Sequence, residues 1–333
     1  MCQVMKITLE EIAKMAGVSK ATVSRVLNSA PGVGAETRKR VQEVIQRVHY
    51  SNNGIQLKMY SKSIALVVPD IANPFFASIA CSIERKARSE GYIVILANTD
   101  SSEKQELEYI SNLIAKKVDG IILIPSGSQC RKAHLLPHKY GIPMVLLDRG
   151  LEGLDPDCYV YSDNEYAAFR SCELFIRNGA KEIAFISGPL DVSTSRERLD
   201  GYRIAMKQYG LPYSEDRIKI GNYTVESGYN AIMDLVRSGT PFTAVLAAND
   251  LMALGAVRAL KELSFRIPED IEIIGFDNIM FSYYLDPPLS TVQQTSVEMG
   301  AVATHELVKL IHGMTVKKRI ILQPRLVLRK TTR

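Results

Sequence analysis

Cysteine is scarce and scattered. The 333 residues hold five (Cys2, Cys81, Cys130, Cys158, Cys172), and no two form a Cys-x-x-Cys pair. An odd, dispersed set excludes a disulfide framework and a zinc cluster, and points to reduced thiols in a cytoplasm. The five histidines are equally dispersed. In "HELVKLIH" (305–312) two of them stand seven apart rather than four, so this is no zinc-protease motif and reads as a surface helix. A Gly-x-x-x-x-Gly-Lys-Ser/Thr phosphate loop is missing. "GVGAET" lacks the third glycine of a dinucleotide fingerprint, and no Gly-x-Ser-x-Gly nucleophile elbow occurs. No catalytic residue, metal or cofactor is therefore expected, and the chain is not expected to be an enzyme. Long apolar runs are missing too. "IALVV" and "IILI" are strand-length, far short of the ~20 residues that span a bilayer. "MCQVMKITLEE" has neither an apolar segment nor a small-residue cleavage site, so no secretory signal is read there. A cytoplasmic protein without membrane association is the expectation.

What is present is a chain long enough for two or three domains, with its charge unevenly placed. Residues 1–62 carry ten Lys/Arg against four Asp/Glu, a balance of +6, whereas the remaining residues carry 31 against 32. A small basic segment joined to a neutral body implies an anionic partner held by the small segment.

That segment reads as three short helices. Leu9, Ile12, Ala13 and Ala16 fall at i, i+3, i+4 and i+7, preceded by Thr8 and Glu11 in the spacing of a capping box. Gly17 supplies a turn and Ser19 caps the next helix, where Val23, Val26 and Leu27 share one face. After "NSAPGVG" the apolar set Val41, Val44, Ile45 and Val48 repeats the helical period. Two helices joined by a tight turn, with a third beside them, outline a helix-turn-helix, whose second helix enters the major groove of DNA. Small Ala21 and Ser24 let that helix sit deep. Arg25 can contact guanine bidentately, and Ala21 a thymine methyl. Thr8, Lys20, Asn28 and Thr37 are candidate phosphate contacts.

The run "TLEEIAKMAGVSKATVSRVLNSAPGVGAETRKRV" closely resembles the DNA-binding domain of the lactose-repressor (LacI/GalR) family, and "GVSxxTVSRVLN" is its specific part. The resemblance implies that residues 51–62, "SNNGIQLKMYSK", are a hinge that folds on the operator and wedges a side chain into the minor groove. The hinge departs from the family, which usually begins Pro-Asn-Ala; Asn52-Asn53-Gly54 stands there instead, and glycine costs a helix about 1 kcal/mol relative to alanine. Met59 is the wedge without gaps, Leu57 the alternative, and a flexible linker the plain reading.

From Ser63 on, strand-like and helix-like segments alternate: "SIALVVPD", a helix from about 76 to 90, "YIVILANTD", a helix at 103–117, "DGIILIP" and "PMVLLD". The series restarts after about Tyr161, with helices at 164–178, 195–209, 225–238 and 250–264. Such alternation predicts parallel sheets with right-handed crossovers, here in two similar lobes with a cleft between them. The expected fold is thus α/β: a three-helix domain (1–50), a hinge (51–62) and a two-lobed effector and dimerisation domain (63–333). Ligands in such sheets sit at the carboxyl ends of strands. The stretches read as strand ends, "DIANPFF", "LDRG", "SRERLDGY", "AAND", "GFDN" and "TVQQ", supply Asn73, Phe75, Phe76, Asp148, Arg149, Arg198, Asn249, Phe276, Asp277 and Gln294. Planar polar groups can bracket sugar hydroxyls and aromatic rings can cover sugar C–H faces. Taken singly, each is as readily a cap, a turn or a local ion pair.

The order of these clusters resembles the effector domain of the same family and the related periplasmic sugar-binding proteins. Within that superfamily the set looks most like a D-ribose site, and "LDRGLEG" and "RLVLRKTTR" resemble ribose-operon repressors. The resemblance implies operator DNA as one partner, a ribose-like sugar as effector, and a homodimer formed partly through the helix after "NPFF". A phosphocarrier protein as partner, or corepression in place of induction, is the alternative control, and another pentose or a phosphosugar the alternative effector. A transport-type sugar-binding protein would share the body but has no use for the basic helix-turn-helix.

Overall fold

The computed structural model describes residues 9–27, 30–51, 61–127, 131–151, 153 and 155–333, without the side chains of 46–51 and 131–133. Thr8, Asn28, Leu57 and Met59 lie outside the described residues. The chain divides into two compact units, 1–60 and 61–333.

In the first unit, α1 (Leu9–Ala16), α2 (Lys20–Leu27) and α3 (Ala35–Ser51) pack around Ile12, Ala13, Ala16, Val23, Val26 and Val41. Gly17 ends α1 at φ +64°, a left-handed conformation that glycine adopts without steric cost. The Val18 amide then donates back to the Ala13 carbonyl at 2.9 Å, which closes the helix end. Ser19 begins α2: its hydroxyl accepts from the Thr22 amide at 3.1 Å. Arg38 on α3 donates to the Ala30 carbonyl at 2.8 Å and so ties α3 to the connection that precedes it.

The second unit runs β1 (Ser63–Val68), α4 (Pro74–Ser89), β2 (Ile93–Asn98), α5 (Glu103–Ala115), β3 (Gly120–Leu123), α6 (Arg131–Lys139), β4 (Met144–Leu147) and β5 (Cys158–Ser162). It continues with α7 (Asn164–Arg177), β6 (Ile183–Ser187), α8 (Ser193–Gln208), β7 (Ile218–Ile220), α9 (Val225–Arg237), β8 (Ala244–Ala247), α10 (Asp250–Glu262), β9 (Glu272–Phe276), α11 (Met280–Tyr284) and β10 (Ser290–Gln293). It closes with α12 (Ser296–Ile311), β11 (Arg319–Leu322) and β12 (Arg325–Val327). Helices cover both faces of the central strands, so β3, β4, β6, β8 and β9 are almost wholly apolar and lack the in–out alternation of a half-exposed sheet.

Two sheets result, with orders β11-β5-β4-β3-β1-β2 and β12-β10-β9-β8-β6-β7. Among the described residues every pairing is parallel except β10 with β12, a departure from the all-parallel expectation. The lobes are not consecutive in sequence. The chain leaves lobe 1 after β5, returns to it after β10 to lay down α12 and β11, and crosses again to pair β12 with β10. Helix α12 contains "HELVKLI" and is no surface helix: Thr304, Glu306, Leu307 and Val308 are buried while His305 and His312 face outward. It packs on α4, where Ser82 donates to the Val297 carbonyl at 2.5 Å. Among the described residues no helix is long and apolar enough to cross a membrane.

Helices α9 and α10 meet backbone to backbone. A Cβ on Gly255 would fall 1.8 Å from the Val225 carbonyl oxygen, and one on Gly228 would fall 2.0 Å from that of Met252. Gly255→Ala is therefore expected to lower unfolding free energy by about 3 kcal/mol, the upper part of the range for overpacking. Denaturant titration reads it; a loss within about 0.5 kcal/mol, ordinary for a surface change, would mean that the helices can part freely.

Candidate DNA-reading helix and effector cleft

On α2, Lys20, Ala21 and Arg25 are exposed and Ser24 is half-buried, while Val23 and Val26 point into the small core. Thr37, in the first turn of α3, is half-buried. The outward face therefore presents one guanidinium and one ammonium around two small residues. That face can approach base edges closely.

In the second unit, the carboxyl ends of the strands enclose a cleft of about 220 Å³. Nine of the ten residues expected there line it: Asn73, Phe75, Phe76, Asp148, Arg149, Arg198, Asn249, Asp277 and Gln294. Phe276 does not. It is fully buried at the end of β9, with the Arg198 guanidinium 4.3 Å from its ring centroid. Arg198 in turn comes from the second turn of α8 rather than from a strand end. Its Nε donates to Asn164 Oδ1 at 2.9 Å and its Nη1 to the Ala248 carbonyl at 2.5 Å.

The two lobes repeat one device. Asp148 follows β4 and Asp277 follows β9, each at positive φ (+64° and +107°). Each still donates its amide to the adjacent strand, Asp148 to Val160 at 2.9 Å and Asp277 to Val292 at 2.8 Å. Left-handed backbone on a residue with a side chain costs roughly 1–3 kcal/mol, which the rest of the fold must offset. The strained corner turns both carboxyls into the cleft. Burial raises the Asp277 carboxyl to about 7, against the pull of Arg198 and the 2.7 Å hydrogen bond from Gln294 Nε2. Burial likewise raises Asp148, with Arg149 and Arg198 opposing it.

Arg149 donates from Nη1 to the Pro125 and Ser126 carbonyls at 3.0 and 3.3 Å, and its Nε stands 4.0 Å from Asp148 Oδ2. Its guanidinium lies 5.4 Å from the Phe76 ring and 5.8 Å from that of Tyr223 in the opposite lobe. Asp148 Oδ1, Arg149 Nε and Gln294 Oε1 are buried with no hydrogen-bond partner among the described residues. Buried polar groups are nearly always satisfied, so three in the cleft-lining residues, two after β4 and one after β10, are consistent with a place for a hydroxylated ligand. By contrast, Asn73 and Asn249 cap α4 and α10, each accepting an amide hydrogen through Oδ1. Their local role is structural. Asp250, next to Asn249, is fully buried behind the wall and accepts from Thr291 Oγ1 at 2.6 Å and the Ile279 amide at 2.8 Å.

Sequence reading misses Tyr223 and its neighbours Asn222 and Thr224, which line the cleft from the β7–α9 turn. Strand β7 has three residues, too few to register as a strand, so its end does not stand out. One signal exists: Gly188 after β6. A Cβ there would lie 2.2 Å from the Tyr223 ring, so this glycine makes room for the tyrosine. Tyr223 hydroxyl and Ser195 Oγ then meet at 2.5 Å.

A helix-turn-helix unit joined to a two-lobed, cleft-bearing α/β unit defines a DNA-binding regulator with a small-molecule effector domain. Known proteins agree at this level. Residues 61–330 match the family model of periplasmic binding proteins and the sugar-binding domain of the LacI family, and residues 8–53 match that of bacterial regulatory proteins of the lacI family. The chain belongs to the lacI family of bacterial regulatory proteins; it is a DNA-binding transcription regulator, not an enzyme. Catabolite control protein A of Priestia megaterium is 36% identical over 99% of this chain and 100% of its own length. The HTH-type transcriptional repressor PurR of Pasteurella multocida is 34% identical over 98% of each. The structure of the lac repressor dimer bound to operator and the anti-inducer ONPF superposes with a TM-score of 0.76 at 29% identity, covering 98% of this chain and 99% of that one. These relatives carry different names, and they do not single out the ribose-operon branch that the sequence resembles.

Proposed function

We propose that the chain is a homodimeric repressor whose cleft takes D-ribose, and that the sugar releases it from its operator. In this reading residues 1–50 read DNA through Lys20, Ala21, Ser24, Arg25 and Thr37, residues 51–62 form the hinge, and residues 63–333 bind effector and dimerise. The observation that carries the effector is a small cleft in which acids, guanidiniums and aromatic rings meet. Three carboxyls, Asp70, Asp148 and Asp277, and two guanidiniums, Arg149 and Arg198, line it together with the aromatic rings of Phe75, Phe76 and Tyr223. Such a lining suits a polyol, whose hydroxyls donate to the acids and accept from the arginines. The cleft is also smaller than the roughly 300–1,000 Å³ of sites for drug-sized ligands, which favours a monosaccharide. Sugar held by both lobes would stabilise their closed arrangement, and the release of DNA can be no larger than the sugar's difference in affinity between the two states.

Calorimetric titration with D-ribose tests the assignment. Saturable binding, followed by release of operator DNA at the same sugar concentration, is the expected result. No heat at millimolar sugar would remove ribose. Operator binding that changes on addition of a phosphocarrier protein and not of sugar, or that a small ligand strengthens instead of weakening, would install the alternative control.

The titration should also depend on pH, with a sign fixed by Asp277. A hydroxyl that donates to this carboxyl favours its ionised form, so binding lowers a pKa that starts at about 7. Below that value the site must release a proton to bind, and affinity rises with pH until it levels off above 7. Affinity at pH 6 is expected to be roughly tenfold weaker than at pH 8. Affinity that falls above pH 7 would mean instead that a protonated Asp277 donates to the sugar.

A further inference from the structure

Behind the cleft lies a buried ionisable pair that is absent from the cleft lining. Glu106 on α5 and His134 on α6 are both fully buried, with His134 Nε2 3.3 Å from Glu106 Oε1. The other carboxylate oxygen, Oε2, accepts the Ser126 amide hydrogen at 2.6 Å. That amide belongs to the same peptide whose carbonyl, on Pro125, accepts from Arg149 Nη1 at 3.0 Å. A single peptide unit is thus held between a carboxylate on its N–H side and a guanidinium on its C=O side. Its dipole is aligned with both charges, and hydrogen bonds in such a chain polarise and strengthen one another at low dielectric. The Ser126 hydroxyl is pinned as well, 2.6 Å from Thr99 Oγ1, which sits 3.2 Å from the Val68 carbonyl at the end of β1. Glu106 also stands in the first turn of α5, where an acidic side chain suits the helix end. Its Oε2 reaches a peptide that also holds Arg149.

We infer that Glu106 is a positioning residue of the effector site, acting through the Pro125–Ser126 peptide to aim the Arg149 guanidinium into the cleft, with His134 as its buried partner. The inference rests on the reading of the cleft as an effector site. It extends that site to a residue that does not line the cleft and lies 43 positions from Arg149 in sequence. The substitution Glu106→Gln would keep the shape and an acceptor oxygen but remove the charge, so the Pro125 carbonyl would hold the guanidinium less firmly.

The test uses full-length Glu106→Gln and two readouts. In calorimetry with D-ribose, the variant is expected to bind about tenfold more weakly, the scale of one charge-assisted hydrogen bond reduced to a neutral one, with operator affinity in the absence of sugar unchanged. In sugar-free protein, nuclear magnetic resonance of selectively labelled serine and arginine should show the Ser126 amide proton moving upfield. The Arg149 guanidinium signals should shift and broaden as the group gains freedom. The two readouts fail separately. If the wild type gives no heat with ribose but the Arg149 signals move in Glu106→Gln, the choice of sugar is wrong and the positioning role stands. Unmoved Arg149 signals overturn the inference, whatever happens to sugar affinity, and a lower melting temperature beside them would assign Glu106 to folding alone.

Discussion

Arg149→Ala is expected to weaken D-ribose binding by about 10²–10³-fold, or about 3–4 kcal/mol, while operator binding without sugar stays intact. Three losses combine. The hydrogen bonds that a charged donor makes to sugar hydroxyls disappear, each worth about 1.5–3 kcal/mol. The cationic contacts with Phe76 and Tyr223, 5.4 and 5.8 Å away, go with them, and Tyr223 is the contact that reaches across from the second lobe. Asp148, already raised by burial and held down by Arg149 and Arg198, then loses its nearest cation and rises further, so an acceptor for the sugar is weakened as well. The variant should stay on operator DNA at sugar concentrations that release the wild type, as read by fluorescence anisotropy of labelled operator. Normal release at the same sugar concentration would remove Arg149, and the cleft assigned around it, from the effector site.

The second large effect is expected in the three-helix unit. Arg25→Ala should cost about 1–3 kcal/mol per half-site if its guanidinium reads a guanine. Two half-sites in a dimer make the loss on operator DNA about 2–6 kcal/mol. Binding to a scrambled duplex should weaken far less, since the guanidinium has a base to read only where a guanine stands in register. The measurement is the ratio of operator to scrambled affinity at one fixed salt concentration, because phosphate contacts make absolute affinities depend steeply on salt. Lys20→Ala offers the contrast: removing an ammonium that binds phosphate weakens both duplexes alike and lowers the salt slope by about one. An operator preference that survives Arg25→Ala would falsify the reading of α2 as the recognition helix.

How much of this is legible in the sequence differs between elements for physical reasons. Helices α5, α7, α9 and α10 begin within a residue of where their caps put them, because Ser102, Asp163, Thr224 and Asn249 each accept an amide in the first turn. The apolar runs of the central strands are equally plain, since burial on both faces leaves no room for polar residues. Most cleft residues can be found because parallel sheets carry their loops on one edge, so a list of strand ends is nearly a list of cleft walls. The misses share a cause: local pattern carries no information about which lobe a segment joins. Strand β11 lies at a sheet edge, so its residues alternate between exposed and half-buried and none is fully enclosed. Helix α12 reads as a surface helix until α4 is known to cover it. Arg198 reads as a strand-end residue, although its position depends on Asn164 and the Ala248 carbonyl, 34 and 50 residues away. Phe276 carries the expected aromatic ring but sets it beneath Arg198. Tyr223 depends on a three-residue strand and on a glycine 35 positions earlier.

The threefold crossing between lobes has a consequence for how the protein comes into being. The three-helix unit can fold as soon as residue 51 has left the ribosome, since its core is drawn from residues 12–41. Lobe 1 cannot. Its first strands emerge early, but α12 and the edge strand β11, which complete its packing, follow nearly all of lobe 2. At roughly 5–20 residues per second, the buried face of α4, with Phe75, Phe76, Ile79 and Ile83, waits on the order of ten seconds or more for α12 to arrive. During that interval an apolar surface meant for the interior is open to chaperones and to neighbouring chains, and a nascent regulator already able to touch DNA is not yet able to sense anything.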